Sequence, residues 1–191
     1  MKHYIDIKML GDTEISLGFI WQKVYAQLHL ALVDIKDKND QVPVGFSFPY
    51  YNKAFPLGDT LRIFSSSQKD VEALHIDDRL QNLLDYINIG TIKEVPVNIN
   101  IHVTFGRRQF KTNPERLARR YAKRHDVGLE EALRVYKEMK ADETKLPFIN
   151  IKSFSTGQHL RLFIEKCASE REQIGKFNTF GLSKTTTVPW F

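Results

Sequence analysis

Cysteine is nearly absent from this chain. Of 191 residues only Cys167 is one, which excludes a disulfide framework and a cysteine-based zinc site. No apolar run approaches the ~18 residues of a membrane span, and residues 1–10, MKHYIDIKML, contain no apolar signal core. A cytoplasmic location without membrane attachment is therefore expected. Internal repeats and low-complexity segments are missing. So are a G-x-S-x-G elbow, a Ser-His-Asp constellation of an ester hydrolase, and, near His29 and Ser153, any Asp/Glu/His cluster with metal spacing. The rest of the composition is that of an ordinary globular protein, 42% apolar and 27% charged, long enough for one or two small domains. Two features stand out: 13 Phe, suited to a β-rich core or to stacking, and a net charge of +5, suited to a polyanionic partner.

That charge is local. Residues 106–124, GRRQFKTNPERLARRYAKR, hold eight bases (Arg107, Arg108, Lys111, Arg116, Arg119, Arg120, Lys123, Arg124) against one acid, Glu115. The stretch carries +7, so the remainder sums to −2. Asn113 suits an N-cap and Pro114 the first helical position, and Thr112 with Glu115 has capping-box spacing. At 100° per residue, Arg116, Arg119, Arg120, Lys123 and Arg124 share one arc of about 140°. Leu117, Ala118, Tyr121 and Ala122 fall on the other side, where they can pack. Like charges three and four residues apart repel by roughly 0.2–0.5 kcal/mol per pair. Solvated helix faces usually alternate sign instead. A face built this way points to an anionic partner, in the first place a nucleic acid.

Along the chain, residues 3–10 alternate as a strand and residues 15–33 show helical spacing, with His29 near the end. Short strands are expected over 42–48 and 60–64. A helix over 68–86 has a weak middle at 75–78, and residues 92–105 are β-rich with Pro96 interrupting them. The order β-α-β-β-α-β up to about residue 98 is the ferredoxin-like pattern, although the aromatic signature of an RNA-recognition motif is missing. The expected class is α+β: a ferredoxin-like domain over residues 1–97, then a smaller C-terminal domain over 98–191 carrying the basic helix at 113–125. Beyond Gly128 a second helix to about residue 141 is expected. A strand from Pro147, a turn at STGQH and a returning strand 160–166 follow, then a polar loop over 168–176 and an ordered tail.

Four motifs together resemble a known family: HYIDI (3–7), NPERL (113–117) with KRHD (123–126), STGQHLRLFI (155–164), and GLSK with VPWF within 181–191. The chain is similar throughout to the CRISPR RNA-processing endoribonuclease of type I-F systems. The resemblance implies an arginine-rich helix lying in the major groove of the CRISPR repeat hairpin. It implies cleavage at the 3′ base of the stem without a metal or other cofactor, and retention of the product within the type I-F interference complex, whose other subunits are then partners. His29 and Ser153 match the catalytic histidine and serine. Arg107 and Gln109 match the base readers, while Arg119, Arg120, Lys123, Arg124 and Arg116 match the phosphate-gripping positions. Ser155 and Thr156 match the next polar positions, and Arg108 and Lys111 are further candidates for RNA contact. A family aromatic that stacks under the terminal base pair falls on Leu160, and a family tyrosine falls on Phe180, which keeps the ring and loses the hydroxyl. Lys123 stands at a family arginine and cannot grip a phosphate in bidentate fashion.

The residues by themselves leave choices open. On spacing alone, His29 reads as a half-buried helix histidine satisfied locally, and Ser153 as an ordinary strand serine. His159, in the turn after Ser153, is a rival base. His3, His75, His102 and His125 read as structural or solvated. A hairpin-binding subunit with little or no cleavage is the alternative to the enzyme, and a basic DNA-binding protein is a third reading.

Overall fold

The computed structural model of the chain describes all residues except 12, 53–55, 111–113, 138–143 and 153–156. The alternation near the start becomes strand β1 (His3–Met9), with Ile5, Ile7 and Met9 buried. Ser16 caps helix α1 (Leu17–Asp34), its hydroxyl accepting from the Phe19 amide at 3.4 Å. The helix buries Ile20, Trp21, Val24, Tyr25, Leu28, Ala31 and Leu32 along one stripe. Strands β2 (Gln41–Val42), β3 (Val44–Ser47) and β4 (Thr60–Ser65) follow. The expected helix over 68–86 is interrupted at its weak middle. Helices α2 (Gln68–Glu72) and α3 (Ile76–Leu80) are separated at His75, which adopts φ +46°, and a 3-10 turn over Gln81–Leu83 ends the segment. Strands β5 (Ile87–Ile89) and β6 (Lys93–Glu94) come before Pro96, and β7 (His102–Arg108) starts well after it.

Helices α4 (Pro114–His125) and α5 (Leu129–Val135) come next, so α5 stops short of the expected residue 141. Strands β8 (Phe148–Lys152) and β9 (His159–Ser169), then β10 (Phe177–Asn178) and β11 (Val188–Pro189), complete the chain. Strand β9 runs into the expected polar loop, because residues 102–105 of β7 pair with it as far as Ser169.

The chain is α+β with antiparallel sheets, as expected. One sheet has the order β3-β4-β1-β5, with β6 also on β1; a second has the order β11-β7-β9-β8; β10 and β2 form a two-stranded ribbon. By contacts the chain divides into two compact units, Met1–Arg108 with Leu146–Phe191, and Gln109–Lys145. The first unit has a single core, in which α1 and both large sheets bury their apolar faces. Trp21, Phe48, Phe105 and Trp190 form a chain of ring contacts through it, with centroids 5.0–6.0 Å apart. The second unit joins α4 to α5 with Ala118 and Ala132 fully buried.

The residues from 177 onward sew the first unit together. Strand β10 pairs with β2, the Phe46 amide donates to the Gly181 carbonyl at 2.8 Å, the Ser183 amide donates to the Phe105 carbonyl at 2.9 Å, and β11 pairs with β7. Arg62 fastens the end of this segment. It makes a bidentate pair with Asp6, directly opposite on β1, at 2.7 and 2.8 Å, donates to the Phe191 carbonyl at 2.8 Å, and lies over the rings of Tyr4 and Phe191. Lysine has neither the fork nor the plane. Arg62→Lys is therefore expected to cost about 1–2 kcal/mol, read as a lower thermal midpoint.

Asp37 makes a second fastening at the loop after α1. Lys176 donates to its carboxylate at 2.8 Å, and the amides of Asn39 and Gln41 donate at 2.8 and 3.0 Å. The Lys176 bond, followed by the two amide bonds, holds the Asp37 carboxyl down at about 2, from an ordinary 3.8. A carboxyl depressed on folding contributes stability that is complete above its unfolded value. That contribution is expected to fade as pH falls from about 4 through about 2, and NMR titration of the Asp37 carboxyl tests it.

Candidate active site and nucleic-acid interface

The fourth turn of α1 brings His29, half-buried, out beside the segment that follows β10. Its Nδ1 lies 2.7 Å from the Thr179 carbonyl oxygen. A carbonyl can only accept, so Nδ1 carries the proton, and in the neutral ring Nε2 keeps its lone pair. Phe180 stacks on the imidazole with centroids 4.3 Å apart and planes 3° from parallel. The guanidinium of Arg107, near the end of β7, lies over the Phe180 ring at 5.6 Å from its centroid. Histidine, phenylalanine and arginine therefore form one group. It joins the expected catalytic histidine, the ring that stands for the family tyrosine, and an expected base reader.

The turn carrying Thr179 and Phe180 is held from several sides. The Tyr25 hydroxyl, one helical turn before His29, donates to the Phe180 carbonyl at 2.6 Å. Complete burial pushes the Tyr25 pKa well up, so this hydroxyl stays a donor at any working pH. Asn178 Oδ1 accepts from the amides of Phe180 at 2.8 Å and Leu182 at 3.3 Å. Gly181 adopts φ +69°, and a Cβ there would lie 2.5 Å from the Phe46 ring, so only glycine fits. None of Tyr25, Asn178 and Thr179 was singled out from the sequence. The single cue was Gly181, directly after an aromatic residue.

Other expected site residues are spread more widely. Arg108 is exposed and pairs with Glu165 at 3.7 Å, and Gln109 is exposed. Leu160 is half-buried on β9, opposite Ile151. His159, the rival base, is exposed opposite Lys152. On α4, Arg119, Arg120, Lys123 and Arg124 are all exposed. Among the described residues the one ion pair on this face joins Arg119 to Glu115 at 3.3 Å, both largely exposed, so it offsets little of the positive charge. Tyr121 stacks on His125 at 4.2 Å and meets Tyr136 edge-on at 6.1 Å, which places the aromatic side of α4 within its own unit. Lys111, Ser153, Ser155, Thr156 and the side chain of Arg116 lie outside what is described. Ser153 follows directly on Lys152, the last residue of β8, and α1 packs against that strand. Among the described residues, no three His, Cys, Asp or Glu side chains converge as a metal site requires, and no helix is long and apolar enough to cross a membrane.

The family model described as CRISPR-associated protein (Cas_Csy4) matches residues 4–191. The chain belongs to the CRISPR-associated Cas_Csy4 family. This is the family that the four sequence motifs resemble. A relative from Pseudomonas aeruginosa (strain UCBPP-PA14), named CRISPR-associated endonuclease Cas6/Csy4, is 37% identical over 193 residues, covering 100% of both chains. A relative of the same name from Escherichia coli (strain UTI89 / UPEC) is 35% identical over 192 residues, again covering 100% of both. A solved structure described as an RAMP protein binding different RNA substrates aligns over 98% of this chain and 99% of its own, with 15% identity and a TM-score of 0.38. That likeness is too distant to carry an argument.

Proposed function

We propose that this Cas_Csy4 family member is a metal-independent endoribonuclease of type I-F CRISPR RNA maturation. It binds the repeat stem-loop, cuts at the 3′ base of the stem, and stays bound to the product beside the other subunits of the interference complex in the cytoplasm. The observation that carries this reading is His29, held by the Thr179 carbonyl so that Nε2 is the atom left to accept a proton. The family to which the chain belongs supplies the substrate class.

The reaction uses the RNA, these side chains and a proton from solvent. The 2′-hydroxyl upstream of the scissile phosphate gives its proton to His29 Nε2 and attacks phosphorus. The 2′-O–P bond forms as the P–O5′ bond breaks, and the leaving 5′-oxygen takes up a proton from solvent. The products are a 2′,3′-cyclic phosphate and a 5′-hydroxyl. Ser153 holds the ribose for in-line attack, a role of orientation. Phe180 retains the ring of the family tyrosine, and its stacking on His29 does not call for the missing hydroxyl. Leu160 packs on the terminal base pair, with less of the ~1–3 kcal/mol that an aromatic would add.

Recognition falls to the basic residues. A sheet order of β3-β4-β1-β5 is what a ferredoxin-like domain has, and it supports assigning residues 1–97 to one. Residues 98–191 carry RNA recognition, with α4 as the arginine-rich helix. Double-stranded RNA has a deep, narrow major groove that single side chains rarely reach, whereas a whole basic helix can enter it near a hairpin end. Arg107 pairs with a guanine and Gln109 with an adenine, the pairings that hydrogen-bond geometry favours. Arg116, Arg119, Arg120, Lys123 and Arg124 grip phosphates, with Arg108, Lys111, Ser155 and Thr156 adding contacts.

Five phosphate contacts predict a log–log salt dependence of hairpin affinity with a slope of about −4, from roughly 0.9 counterions per phosphate on B-DNA. Arg120→Ala is expected to reduce the slope by about one and to weaken all hairpins alike. Arg107→Ala is expected instead to relax discrimination at one base pair. A flat salt response would exclude α4 as the gripping element. Incubation with the repeat RNA in EDTA, with end-group analysis, tests the enzyme against a binding-only subunit. The expected result is cleavage with a cyclic phosphate end; binding without cleavage would overturn the enzyme reading.

A further inference from the structure

Free histidine favours the neutral tautomer with its proton on Nε2, which cannot accept a proton at that atom. A base working through Nε2 needs an acceptor aimed at Nδ1, since the hydrogen bond made by one ring nitrogen decides the state of the other. Here that acceptor is a backbone carbonyl, Thr179 O at 2.7 Å, and its direction depends on the turn that presents it. The turn closes on Asn178. Its Oδ1 takes the amides of Phe180 and Leu182 at 2.8 and 3.3 Å, its own amide donates to the Leu182 carbonyl at 3.0 Å, and its carbonyl accepts from Gly181 at 2.8 Å. Thr179 lies inside this ring of four bonds. The Tyr25 hydroxyl fixes the next carbonyl, Phe180 O, from the helix that bears His29.

Resting on the assignment of His29 as the base, we infer that Asn178 is a positioning residue for cleavage. By closing the turn it aims the Thr179 carbonyl at His29 Nδ1 and keeps the Nε2 lone pair available to the 2′-hydroxyl. Asn178 is itself exposed, so truncating its side chain buries no new cavity. An acceptor oxygen at this position is what the turn uses, and aspartate supplies one.

Nitrogen NMR of the His29 imidazole, read in mildly alkaline solution without RNA, distinguishes the tautomers directly. Wild-type protein is expected to show a protonated Nδ1. In Asn178→Ala the Nε2–H form is expected to grow, and single-turnover cleavage of a repeat stem-loop to slow by about tenfold or more. Hairpin affinity and the thermal midpoint report whether the variant remains folded. Asn178→Asp, which keeps the acceptor, is expected to restore both tautomer and rate, which a merely structural role would not require. A tautomer unmoved in folded Asn178→Ala overturns the inference, as does a loss that Asn178→Asp fails to rescue. A moved tautomer with an unchanged rate would overturn both the positioning role of Asn178 in cleavage and the assignment of His29 as the base.

Discussion

Replacing His29 by alanine is expected to slow cleavage by about 10²–10⁴-fold, the range that a positioned general base contributes. Hairpin affinity is expected to stay within about 0.5 kcal/mol of wild type. The two effects separate because they belong to different parts of the chain. Among the described residues His29 makes one hydrogen bond and one ring stack, both to residues 179–180. Among the described residues, the exposed arginines of α4 have Glu115 as their one acidic partner. Single-turnover kinetics together with filter binding measure both quantities on one preparation. Loss of cleavage and binding together, in a folded variant, would mean that His29 holds the RNA and does not act as its base.

The second large effect is expected from the substrate. A repeat RNA with a 2′-deoxy sugar only at the nucleotide upstream of the scissile phosphate lacks the nucleophile and keeps every phosphate. Cleavage is expected to stop, with or without magnesium, while affinity changes by no more than about 0.5–1.5 kcal/mol, one hydrogen bond. A nuclease that activates water would still cut this substrate and would leave a terminal monophosphate. Cleavage of the deoxy RNA would remove the roles proposed for His29 and Ser153 together.

How much of this could be read from the sequence depended on whether the signal was periodic. The stripe from Ile20 to Leu32 on α1 and the alternation of β1 follow from local spacing, and both elements stand within two residues of where that spacing puts them. The weak middle at 75–78 was visible as a loss of helical character, but the left-handed backbone of His75 was not, since nothing in a histidine demands it. The Asp6–Arg62 pair was hidden for another reason: the two residues are opposite only once the β1–β4 register is known. The site divides the same way. His29 could be placed on a helix and compared with a family, whereas its partner is a backbone carbonyl, and a carbonyl leaves no mark on residue type. Phe180 looked like a tyrosine that had lost its useful group. Its ring proved to be the part in contact with His29, and Tyr25 bonds the same turn from α1.

The hydrogen bond between His29 and Thr179 spans 150 positions of sequence. During synthesis α1 therefore leaves the ribosome long before the strand and turn that complete its histidine. Until residues 177–182 have docked, the imidazole lacks the acceptor that the Thr179 carbonyl supplies at Nδ1. Closure over so long a separation is slow and is reached only when both sheets are in place. With His29 as the proposed base, cutting ability is then expected to be a late property of the folding chain, gained only once residues 177–182 have docked.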